Sequence, residues 1–101
     1  MARDIADKQI RDTQQYEFPI DNESEKSLYQ YANNLDVEVD VVVEATYAAD
    51  DDFSDAYQIG SHTIASGGVE RGSLTDPWDQ VRIIVQASST PSSGAFIAKK
   101  H

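Results

Sequence analysis

The sequence predicts an all-β protein: an antiparallel β-sandwich or jelly-roll-like barrel of about seven strands, preceded by a short N-terminal helix or arm. Three observations carry this expectation. Residues 35–47, LDVEVDVVVEATY, place Leu35, Val37, Val39, Val41, Val43, Ala45 and Tyr47 at every odd position. The even positions are polar except Val42. A period of two puts one face on a core and the other in water. Val81, Ile83, Val85 and Ala87 repeat that alternation in 80–88. Gly, Asn, Asp, Pro and Ser punctuate the chain between such runs, at hairpin and loop positions.

The chain divides into an arm, 1–14, and a body, 15–101. In the arm, Asp4–Lys8, Lys8–Asp12, Arg3–Asp7 and Asp7–Arg11 are opposite charges four residues apart. That spacing supports a helix by a few tenths of a kcal/mol per pair. Ile5 and Ile10 are five apart and form no stripe, so the segment is expected to order itself on a neighbouring subunit, as a helix or an extended arm.

In the body, Tyr16, Phe18 and Ile20 alternate, and Pro19 places their strand at a sheet edge. Residues 27–32 form a second strand, and Asn33-Asn34 a tight turn. The strand 35–47 would span about 40 Å at roughly 3.3 Å per residue, so it is expected to bend or bulge. A loop, 48–55, follows, with Phe53 turned back onto the core. Tyr57–Ala65 is a strand with a bulge or bend at Gly60, and Ser66-Gly67-Gly68 is a turn. A short strand, 72–74, stops at Asp76-Pro77. TPSSG, 90–94, is a hairpin loop joining the strand 80–88 to a last strand, 95–99.

One core fits in 101 residues. The absence of cysteine excludes disulfides, thiolate metal sites and a cysteine nucleophile. No apolar run approaches the roughly 20 residues of a spanning helix, and MARDIADKQIRD has no apolar stretch of a secretory signal. The formal charge is -10 and resides in the body, where fifteen acids face five bases. Such a surface repels free nucleic acid. Asp outnumbers Glu 12 to 6 and there are only four lysines, a composition that suits high salt.

Candidate chemistry is sparse. Asp50, Asp51, Asp52 and Asp55 crowd one loop and are weak candidates for calcium, but DDDFSD lacks the alternating ligands and glycine of an EF-hand. A solvated acidic loop is the preferred reading of them. His62 sits on the polar side of its strand, no GxSxG surrounds a serine, and no glycine-rich phosphate loop precedes a helix pattern. Neither catalytic residues nor a cofactor are expected. Trp78, between Asp76 and Asp79, is either a core anchor or a platform for a sugar ring. Val42 and Ile84 break the pattern as aliphatic residues on polar faces; with Ile5 and Ile10 they are candidate subunit contacts.

DPWDQVRIIVQASSTPSSGAFIAKK resembles the closing hairpin of small β-sandwich virion proteins of tailed viruses. VVVEATYAADDDFSDA resembles their long strand and acidic loop. With the acidic bias, residues 35–100 resemble structural proteins of viruses that infect haloarchaea. The resemblance implies a non-enzymatic part of a capsid, turret, connector or tail. Such a protein would be assembled in the host cytoplasm and reside in the virion. Its partners would be copies of itself and other virion proteins, without nucleic acid or membrane. The alternative is a monomeric glycan- or ligand-binding module.

Overall fold

In a computed structural model, which describes residues 3–20, 27–46, 53, 56–74, 78 and 80–100, eight strands form two four-stranded antiparallel sheets. The strands are β1 (Arg3–Lys8), β2 (Tyr16–Ile20), β3 (Ser27–Asn33), β4 (Val39–Thr46), β5 (Tyr57–Ile64), β6 (Val69–Leu74), β7 (Gln80–Ala87) and β8 (Phe96–Lys100). One sheet has the order β1-β8-β3-β6 and the other β2-β7-β4-β5. Only β4 and β5 are both consecutive and hydrogen-bonded neighbours; every other link crosses between sheets. This is the strand order of a double-sheet jelly roll.

The alternating residues form the core. Val39, Val41, Val43 and Ala45 of β4 pair with Ala87, Val85, Ile83 and Val81 of β7, and all eight are at most 5% exposed. Tyr29 and Tyr31 of β3, with Phe96 and Ala98 of β8, meet them from the other sheet.

The arm is not a separate element. Its residues form β1, an edge strand paired with β8 from Arg3↔Lys100 to Lys8↔Phe96. Ile5 is the extra residue of a bulge between Asp4 and Ala6, half-buried against the core. Ala6 is buried and Ile10 is 0% exposed within the chain's own core. The i,i+4 charge pairs are worth less than the backbone ladder β8 offers. Lys8 lies over the Tyr16 ring, 5.0 Å from its centroid, and Tyr16 donates to Asp12 at 2.8 Å. Those contacts close the core beside β1 and β2.

The long strand is shorter than its pattern. Residues 35–38 keep the alternation but make no ladder, because their backbone serves loops. Ser66 Oγ donates to the Leu35 carbonyl at 2.6 Å, and Ser88 N donates to that of Glu38 at 2.9 Å. The Asp36 carboxylate accepts from Ser92 N and Oγ. These bonds hold the Asp36 carboxyl below its ordinary range. Asn33, read as a turn residue, ends β3 fully buried. Its Nδ2 donates to the carbonyls of Val37 and Ile64, both at 2.9 Å, and its Oδ1 accepts from Leu35 N at 3.1 Å.

TPSSG is likewise not a hairpin, since β7 and β8 lie in different sheets. It crosses the open end of the sandwich and packs on Asn34. Gly94 has φ +87°, and a Cβ there would stand 1.8 Å from the Asn34 carbonyl oxygen. Only glycine fits that approach.

Each sheet edge carries a feature that blocks further strand pairing. β2 has Pro19. β1 has its bulge. In β5 the extra residue Ile59 falls between Gly60, opposite Val43, and Gln58, opposite Glu44. This is the bulge expected near Gly60, placed in β5 and not in β4. In β6, Glu70 lies opposite the buried Tyr31 and so brings a carboxylate to the inner side of the edge.

Candidate functional site

Two surfaces present chemistry beyond packing: the outer face of the β2-β7-β4-β5 sheet and the gap between the edge strands β5 and β6.

On the outer face, Val42 and Ile84 are direct cross-strand partners. The two exceptions to the polar pattern are thus one half-buried apolar patch. Glu17 extends their row on one side and Ser61 on the other. In the next row Arg82 bridges Glu44 at 2.7 Å and Glu17 at 3.1 Å. Its guanidinium also lies over the Phe53 ring, 4.4 Å from the centroid. Phe53 therefore packs on the outer face through Arg82, and not back onto the core as its sequence suggested. Asp40 accepts from Thr63 at 2.9 Å. With Glu38, Asp40, Glu44 and Glu17 on one side of the balance and Arg82 on the other, this face is acidic around its apolar centre. Ile5 and Ile10, by contrast, are parts of the body.

The gap between β5 and β6 opens because those strands are joined by the 65–68 turn yet belong to different sheets. It is a cleft of about 60 Å³ lined by Tyr29, Tyr31, Val43, Ile59, Gly60, His62, Gly72 and Ser73. Gly60 and Gly72 face it from opposite strands, and a Cβ at Gly72 would meet nothing within 4 Å. His62 lies opposite the fully buried Val41, so it faces inward and not outward as its polarity implied. Its ring is 5.7 Å from that of Tyr31. Burial pushes the Tyr31 phenol well above its ordinary pKa. Trp78 is half-buried against the core, and its ring is 5.7 Å from that of Tyr57, which is 59% exposed.

No carboxylate among the described residues lines the cleft. Among the described residues no three His, Asp or Glu side chains converge on a common point that could hold a metal. The acidic loop residues Asp50, Asp51, Asp52 and Asp55 lie outside the described residues. Among the described residues no helix is long and apolar enough to cross a membrane.

The strand order and packed sheets define a jelly-roll module. Its fold is similar to that of the crystal structure of PBSX exported protein XepA, with a TM-score of 0.70 and 13% sequence identity. The similarity covers 99% of this chain and 36% of that one, so the chain spans about a third of that protein's length. No family model and no curated protein matches the sequence.

Proposed function

We propose that the chain is a non-enzymatic structural and assembly module of a virion, acting through contacts with copies of itself and with other virion proteins. The observation that carries this reading is the Val42–Ile84 patch on an outer face of a sandwich whose edges are all blunted. Association through strand addition is blocked, so a face must serve. The fold is one used by viral capsid domains, and the structural neighbour is the PBSX exported protein XepA. Fold alone does not carry function, and the reading stands on the face.

The contact is tested by a pair of neighbouring substitutions. Ile84→Asp adds a charge to the half-buried patch and should abolish self-association while circular dichroism stays native. Ile83→Asp, one residue along on the inner face and 0% exposed, should unfold the monomer by burying an unpaired charge. An Ile84→Asp protein that still associates, measured by light scattering, would overturn the proposed interface.

The acidic body supports a high-salt setting, that of a virus of haloarchaea, with assembly in the host cytoplasm. Its carboxylates repel one another most in dilute buffer, where the Debye length reaches roughly 30 Å at 0.01 M. Dialysis from molar salt into dilute buffer should lower the melting temperature. An unchanged melting temperature would remove the halophilic part of the reading.

A further inference from the structure

We infer that the cleft between β5 and β6 binds a neutral saccharide, taking a hydroxyl-bearing edge of the sugar into the gap while the ring lies on Tyr57 beside Trp78. This is a binding site separate from the assembly face, on another side of the sandwich.

The argument begins with an orphan. Tyr31 is 2% exposed, and its hydroxyl has no hydrogen-bond partner among the described residues. Its ring lies between Phe96, at 6.4 Å between centroids, and His62, at 5.7 Å. Buried polar groups are nearly always satisfied, so one that is not calls for a ligand or water. His62, half-buried and directed inward, likewise has no hydrogen-bond partner among the described residues. The Tyr31 hydroxyl and the His62 imidazole thus place two hydrogen-bonding groups at one gap. These groups donate and accept but carry no fixed charge, which suits alcohols.

The gap is kept open by absent side chains. Gly72 lies directly opposite the buried Tyr29, and so faces inward; any other residue there would occupy the cleft. At about 60 Å³ the space admits a hydroxyl or hydroxymethyl group with a water or two, and not a whole ring. The ring must lie outside, and the next inward position on β5 is Tyr57, opposite Ala45 and 59% exposed. An exposed tyrosine braced by a half-buried tryptophan offers a flat apolar face to the C–H face of a pyranose. The charge of -10 disfavours an anionic ligand.

The test is titration of the full chain with methyl glycosides of glucose, galactose, mannose and N-acetylglucosamine, followed by amide chemical shifts and tryptophan fluorescence. At least one glycoside should shift the Gly60 and Gly72 amides and alter Trp78 emission. Gly72→Val should remove those responses. Tyr31→Phe should weaken binding about tenfold, the equivalent of one hydrogen bond, while leaving the melting temperature unchanged, since no internal bond is lost. Should Gly72→Val fail to fold, Tyr31→Phe alone decides. The inference is overturned if none of the glycosides shifts these amides, if Tyr31→Phe binds as tightly as the parent, or if tetramethylammonium binds there and no sugar does.

Discussion

Asn33→Ala should be among the most destabilising single changes in this chain. The side chain is fully buried and makes three hydrogen bonds to backbone groups, two to carbonyls at 2.9 Å and one from Leu35 N at 3.1 Å. Alanine would leave two carbonyls and one amide without partners. At roughly 1–3 kcal/mol for each buried group so orphaned, the loss should be about 3 kcal/mol or more. A small domain has about 5–15 kcal/mol to lose. The effect should also spread. Asn33 N donates to the Gly68 carbonyl, Gly67 N to that of Asn33, and Asn34 N to that of Ala95, so three loops meet at this residue. Asn33→Asp should do no better, because a carboxylate would face the Val37 and Ile64 carbonyls. Urea denaturation should show a large fall in midpoint with an unchanged slope. A shift within the range of surface substitutions would mean that water satisfies these groups.

Removal of residues 2–14 should unfold the body, not release an intact one. β1 contributes an edge ladder to β8, buries Ala6 and leads to Ile10, which is 0% exposed. Ile10→Ala alone should cost about 2–5 kcal/mol, the range for emptying a buried aliphatic site. Arg11 ties the same segment to the closing loop by donating to the Gly94 carbonyl at 2.9 Å. Truncation would also bare the β8 backbone, a central strand with no edge protection, so aggregation should accompany unfolding. A truncated protein with native circular dichroism that stays monomeric would show that β1 is dispensable.

The parts of the fold visible in the sequence are those with two-residue periodicity and strong side chains. β4 and β7 announce themselves because both are central strands with one wet face, and Pro19 marks an edge for a reason internal to proline. β1 is hidden: RDIADK holds two apolar residues, a bulge moves Ile5 out of phase, and its charges mimic a helix. Only β8, some ninety residues away in sequence, makes it a strand. The length of β4 was overread because 35–38 keep the alternation while their hydrogen bonds go to serines in distant loops. TPSSG has the composition of a hairpin, and composition does not say which sheet the next strand joins.

The assembly face was half legible. Val42 and Ile84 stand out as pattern breaks, and only the register reveals that they touch. The cleft was not legible. Tyr29, Tyr31 and Gly72 read only as members of short strands, His62 as surface, and Gly60 as a bulge or bend. Polarity misplaces His62 because an inward position on an edge strand lies at the rim of the core, where a half-wet imidazole is tolerated.

The pairing of Arg3 with Lys100 sets how the module responds to force. Its two ends leave from the same end of one antiparallel ladder, so tension between them loads the β1–β8 hydrogen bonds one after another, as in a zipper, and never all at once. β8 is held on its other side by β3, from Tyr29↔Lys100 to Asn33↔Phe96. β1 should therefore peel first, at low force, while the rest of the sandwich stays shut. Spliced into a longer load-bearing chain, such a module would yield in a first small step before breaking.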